Sequence, residues 1–318
     1  MNLYDQQKKN LGNTRLFIAF FVVLLALMGL GADGLLYAGG FSPGIPFATL
    51  GAIAVGGMSA WWSLREGDKA VLQSTGAIPI DRNDPKQRVL ENVVEEIAIA
   101  GGIPKPAIYV VPDSDPNAFA TGVGPERASI AVTRGLLDAL DRDELQGVVG
   151  HELSHVRNYD VRLMTVVAAL AGAVLLLSDW SRRGLGWGGR RRRDGDGDGK
   201  GGLGILFVAL WVVAVLLAPF IAQIVSLAVS RQREYLADAS GAELTRNPLA
   251  LASALQKISA AVAPTPSIKQ GVAHLCIEDP RGGTDAERQG FFTGLWSTHP
   301  PVARRIALLK GMAYQKQP

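Results

Sequence analysis

Long apolar runs alternate with stretches of helical and strand periodicity along this chain, and the runs come first. One extends from Leu16 to about Ala38, broken only by Asp33, and a second from Pro46 to Trp62, closing on the pair Trp61-Trp62. Each is long enough to cross a bilayer or nearly so. Lys8, Lys9 and Arg15 precede the first run, Arg65 and Lys69 follow the second, and the turn between them carries no Lys or Arg. The positive-inside rule makes this a hairpin with both ends in the cytoplasm. The spacing of Ala52 and Gly56 lets small residues face the partner helix. A basic start and small residues near Gly31 and Ala32 also fit a cleaved leader, but the apolar run continues past them and a second follows at once. Two more apolar runs come later, at 163–177 and 205–229. The first of these is short of the roughly 20 residues that a span needs, and the second is long enough.

Between 66 and 160 the pattern is that of a water-soluble domain. Residues 85–100 place apolar positions at helical spacing. Two short β-branched runs, 107–111 and 128–132, predict strands, and the extended stretch 117–123 leads through the turn 124–127 to pair with the second. Asp141 with Glu144 is a capping pair that opens a further helix, expected to run on into the apolar run at 163. Asn247-Pro248 starts another helix, with an N-cap followed by proline, and a last one follows Pro301. Residues 180–202 form a Gly-rich linker with six arginines and an Asp-Gly repeat that lacks the register of a calcium loop. The pattern divides the chain into a transmembrane hairpin at 1–64, a first soluble part at 65–160, a hydrophobic helical pair with its linker at 161–229, and a second soluble part at 230–318.

Composition agrees with a membrane protein. Apolar residues make up 48% of 318, charged residues only 19%, and mean hydropathy is +0.17. The net charge of +3 is carried by basic residues flanking apolar runs, which argues for a lipid bilayer and against nucleic acid. The single cysteine, Cys276, excludes an intramolecular disulfide and reads as a small buried hydrophobe.

The chemistry lies in His151-Glu152-Leu153-Ser154-His155, on the helix that Asp141 opens. Residues four apart share a helix face, so both imidazoles can reach one metal ion while Glu152 stands beside it as a general base. The alternative, a merely polar helix face, is weak in a chain with four histidines in all. A tetrahedral catalytic zinc needs a third protein ligand and keeps one position for water. His274, His299 and several carboxylates compete for that place. The strongest candidate is Glu234, which shares a face with Asp238, so that one could bind zinc while the other orients a ligating imidazole.

Four blocks in order carry a resemblance: Asn117-Ala118-Phe119-Ala120-Thr121-Gly122, Gly150 to His155, Arg231 to Asp238, and Thr298-His299-Pro300-Pro301 with Arg305-Ile306. With the hydrophobic runs around them, the chain resembles the HtpX-type integral-membrane zinc metallopeptidases over nearly its whole length. The resemblance implies a mainly α fold with a small β-sheet, a zincin-like (gluzincin) metallopeptidase domain joined to transmembrane helices. It implies one zinc ion per chain held by His151, His155 and Glu234, Glu152 as base, and Asp238 as the family's aspartate behind the site. Asn117, Ala118, Phe119 and Ala120 would form the strand edge that holds an extended substrate, and His299 and Arg305 match the family's C-terminal motif. From the residues alone His299 is a spare imidazole, free to stabilise the oxyanion, to cap the zinc or to make a structural hydrogen bond. The expected activity is hydrolysis of unfolded or misassembled membrane proteins at the cytoplasmic face of a bacterial inner membrane, as quality control. Since His155 and Glu234 share one ion, the runs at 163–177 and 205–229 must cross together or not at all. Two crossings are favoured by the length of the second, although they would put the arginine linker outside.

Overall fold

The computed structural model describes residues 3–38, 40, 44–167, 231–261, 264–268, 272–280 and 300–314. The linker 180–202, the apolar run 205–229, all but the start of the run 163–177, and His299 lie outside the described residues. The chain divides into two compact units, one of residues 1–14, 64–168 and 226–318, the other of 15–63 and 169–225.

In the second unit the described residues, within 15–63, belong to the hairpin. Helix α1 spans Leu3–Ala38 and α2 spans Phe47–Ser74, both longer than the apolar runs that announce them. Both are long and apolar enough to cross a membrane. They turn apolar side chains such as Leu16, Val23, Leu27, Leu50 and Met58 outward, as lipid-facing helices do. The helices run antiparallel and close. A Cβ at Gly29 would lie 2.6 Å from the Ala48 carbonyl, and one at Gly56 would lie 2.9 Å from the Leu25 side chain. Asp33, the one break in the first run, caps α2 from outside it: its carboxylate accepts from the amides of Ala48 and Thr49 at 2.9 and 2.8 Å and from the Thr49 hydroxyl at 2.7 Å.

The first unit is mainly α around one small mixed sheet. Strand β1 is Ile78–Pro79, β2 Ala107–Val111, β3 Ala118–Gly124 and β4 Arg127–Thr133, in the order β1-β2-β4-β3. β2 and β4 are parallel, with Ala107 opposite Ser129. The β3–β4 hairpin is antiparallel, with Phe119 opposite Ala131, as the turn 124–127 predicts. Helix α3, Pro85–Gly101, is capped by Asp84 and buries Leu90, Val93, Val94 and Ile97, one face at the expected spacing. Each side chain so buried contributes roughly 1.5–3 kcal/mol. A short α4, Arg134–Ala139, leads to α5, Arg142–Arg157, which opens on the full Asp141–Glu144 capping box. Glu144 also accepts from Ser253 at 2.7 Å and Lys257 at 2.6 Å on α7, Pro248–Ala260, the helix that Asn247 caps. Helices α6, Arg231–Thr245, and α8, Val302–Tyr314, complete the unit.

One expectation fails. Helix α5 does not run on into the next apolar run: Tyr159 takes a left-handed conformation at φ 60°, and a new helical stretch begins at residue 160. Neither Gly nor Pro marks this break, so sequence periodicity passes over it.

Helices α5 and α6 meet backbone to backbone. A Cβ at Gly241 would lie 2.8 Å from the His151 amide nitrogen, and one at Gly150 would lie 2.8 Å from Thr245 Cγ2 and 3.2 Å from the Gly241 carbonyl. Gly241→Ala must therefore push α6 off α5. It is expected to destabilise by about 1–3 kcal/mol, read as a lower melting temperature in detergent; a variant that melts with wild type would mean the crossing can open freely. Burial works to raise the pKa of Glu144, but the Lys257 and Ser253 hydrogen bonds and the capping amide hold it below its usual 4.5. A depressed carboxylate stabilises the fold at neutral pH and loses that contribution as pH falls through the lowered value. Glu144→Gln is thus expected to cost about 1 kcal/mol at pH 7, with the gap to wild type closing as acid titration passes below 4.5. A constant gap would contradict the ionic role.

Candidate metal centre

Helix α5 presents His151 and His155 one turn apart, and the close crossing of α6 brings Glu234 between them. His151 Nε2 lies 3.5 Å from Glu234 Oε2, and His155 Nε2 lies 3.5 Å from Oε1. The two rings stand edge to face, their centroids 4.9 Å apart. Ligand atoms of the three residues lie within 4.8 Å of one another, and all three residues are buried.

The other ring nitrogens are held from behind. His151 Nδ1 lies 3.0 Å from Asp238 Oδ1, one turn beyond Glu234 on α6. Asp238 is in turn gripped by Arg305 of α8, whose Nε and Nη2 donate to its two oxygens at 2.8 and 2.7 Å. Burial works to raise Asp238, but the Arg305 charge and hydrogen bonds override it and bring its pKa to about 2. Arg305 is wholly buried and also donates to the Ile277 carbonyl at 2.9 Å. On the other side His155 Nδ1 lies 3.3 Å from Asp160 Oδ2, just past the Tyr159 break.

Glu152 is buried, and neither of its oxygens has a hydrogen-bond partner among the described residues. Its burial pushes its pKa up; the neighbouring histidines pull the other way, and the Ala120 amide adds a weak pull without closing a hydrogen bond. Glu234 Oε2 also lacks a hydrogen bond.

These observations test whether a metal fits. Four-coordinate zinc with ligands at about 2.0–2.2 Å keeps its ligand atoms roughly 3.3–3.5 Å apart, which is the Nε2-to-carboxylate spacing found. Buried carboxylates at 152, 160, 234 and 238 outnumber the guanidinium groups of Arg305 and Arg233 beside them. Burial opposes charge on both imidazoles, yet the facing carboxylates outweigh it and raise their pKa values, so the site favours positive charge between these groups. The donor set fits a divalent ion.

The residues 117–120 expected at the substrate edge lie at the start of β3, buried. Their outer edge is taken by the chain itself. Ile277 donates to the Ala118 carbonyl at 2.9 Å, Phe119 and Cys276 form an antiparallel bridge, and Asn117 Nδ2 donates to the Glu278 carbonyl at 3.2 Å. Cys276 is buried, and burial first, then the charges of Glu152 and Asp279, push its thiol well up, as suits a small hydrophobe rather than a nucleophile. Sequence reasoning missed Asp160, although it stands five residues past His155. It matched Arg305 to a motif without giving it a partner.

The model of peptidase family M48 matches residues 84–313. A protease HtpX homolog of Caldanaerobacter subterraneus subsp. tengcongensis is 42% identical over 98% of both chains, and one of Thermoanaerobacter pseudethanolicus is 42% identical over the same shares. A third, of Tropheryma whipplei, is 43% identical over 98% of this chain and 99% of that one. The crystal structure of S. mikatae Ste24p superposes with a TM-score of 0.44 and 20% identity, over 81% of this chain and 63% of that one. With the family model covering most of its length and these relatives matching it end to end, the chain belongs to peptidase family M48, among its HtpX-type membrane-associated metalloproteases.

Proposed function

We propose that the chain is a zinc endopeptidase of the bacterial inner membrane, with a zincin-like (gluzincin) catalytic domain facing the cytoplasm, which cleaves unfolded or misassembled membrane proteins as quality control. One observation carries this reading: a buried Glu152, without a hydrogen-bond partner among the described residues, stands beside three converging metal-ligand side chains. His151 and His155, through Nε2, and Glu234 would hold the ion. Zinc supplies Lewis acidity that brings the pKa of a water towards ~7. Glu152 takes the proton from the attacking water and passes it to the leaving amine, and burial fits it to hold that proton in between. Asp238 keeps the Nδ1 proton on His151, so that Nε2 stays a donor of electrons. His299 is assigned to the oxyanion or to capping the ion.

The substrate is assigned to the outer edge of β3, in extended form. In support, that edge already accepts an antiparallel peptide, residues 276–277 of the chain itself. A substrate therefore takes their place. The inner-membrane, multi-pass reading is supported by the two helices long enough to span and by basic residues at both ends of the hairpin.

The test is cleavage of casein by detergent-solubilised protein, purified with a chelator and then given zinc. Wild type is expected to cleave only with zinc. Glu152→Gln is expected to bind zinc equally but lose at least ~10²-fold in kcat. If both bind zinc and neither cleaves casein or itself, a zinc-binding scaffold replaces the peptidase reading. Ile277→Pro, which removes the amide that donates to Ala118, is expected to lower KM for casein about 2- to 10-fold, the worth of one hydrogen bond, with kcat unchanged. An unaltered KM would put the substrate elsewhere.

A further inference from the structure

The polar start of α1 reaches the back of the metal site. Asn10, buried, uses both hydrogens of its amide on the turn after α5: Nδ2 donates to the Asn158 carbonyl at 2.8 Å and to Asp160 Oδ1 at 2.7 Å. One turn earlier Gln7 Nε2 donates to the Arg157 carbonyl at 2.9 Å, and one turn later the buried Thr14 hydroxyl donates to the Asn10 carbonyl at 2.9 Å. Residues 7, 10 and 14 form one helix face. The carbonyls that Gln7 and Asn10 meet are among those a helix leaves unsatisfied at its C-terminus. Helix α5 ends in the left-handed Tyr159 without a glycine cap, so α1 supplies the cap from outside.

The same contact fixes Asp160. With Oδ1 taken by Asn10 and Arg233 Nε 3.6 Å away on that side, Oδ2 is left to face His155 Nδ1 at 3.3 Å. His155 Nε2 then points at Glu234. This is the arrangement that Arg305 and Asp238 provide for His151, built with a neutral amide from another part of the chain.

We propose that Asp160 is a positioning residue for His155 and that Asn10, on the helix that carries the first membrane span, completes it, so that the metal site is assembled partly by the N-terminal helix. This rests on the reading of His151, His155 and Glu234 as the metal ligands. Loss of an outer partner of a ligating histidine typically costs 10- to 100-fold in metal affinity.

The experiment measures zinc affinity by competition with a chromogenic chelator, and the visible spectrum of the Co²⁺-loaded protein, on full-length chain in detergent. A Glu152→Gln background prevents self-digestion. Asp160→Asn and Asn10→Ala are expected to weaken zinc by roughly 10- to 100-fold and about tenfold and to shift the cobalt bands. Gln7→Ala and Thr14→Val touch the same helix face but not Asp160, and are expected to stay within about twofold of the parent. Should Asp160→Asn fold poorly by circular dichroism, Asn10→Ala decides alone. The proposal falls if Asn10→Ala keeps the parent's affinity and spectrum, or if Gln7→Ala and Thr14→Val lose as much as Asn10→Ala, which would make the contact merely structural. A parent whose zinc affinity is unmoved by His151→Ala and Glu234→Ala would instead overturn the ligand assignment itself.

Discussion

The candidate metal centre depends on how closely two helices can cross. His151 and His155 belong to α5 and Glu234 to α6, and the reach of a glutamate closes the triangle only because the two backbones touch. Gly150 and Gly241 make that contact possible by lacking a Cβ where one would strike main-chain or Thr245 atoms. Once the crossing is set, Asp238 falls one turn on behind His151, and α8 delivers Arg305 to it. The remaining helices hold α5 in place: α7 fastens its start through Glu144, and α1 fastens its end through the carbonyls of Arg157 and Asn158.

Local signals were legible in the sequence because they act over a few residues. The capping box at Asp141, the proline start at Pro248, the apolar face of α3 and the β3–β4 hairpin are each specified by neighbours in the chain. The two histidines were legible for the same reason, being one helical turn apart. Glu234 could be ranked but not fixed, since it stands 79 positions beyond His155 and nothing local ties the two.

What could not be read is what long-range packing decides. Asn10 carries no local signal before the first apolar run, because its partner is 150 positions away. Asp160 follows a left-handed tyrosine that neither Gly nor Pro announces, so its face could not be counted from the helix before it. The strand edge at Ala118 was legible as a strand, but an edge is free or filled according to what folds back upon it, and residues 276–278 come from far along the chain.

Ile277 is bonded through both of its backbone groups, its amide donating to the Ala118 carbonyl and its carbonyl accepting from Arg305. The two bonds place opposite demands on the backbone at this position, one for a donor and one for an acceptor. A backbone that offers an amide but no carbonyl at that point leaves a buried guanidinium hydrogen unpaired, at about 1–3 kcal/mol. Through this one residue the edge of the sheet is tied to the Arg305–Asp238 pair behind His151, so the support of the two-histidine helix reaches as far as β3.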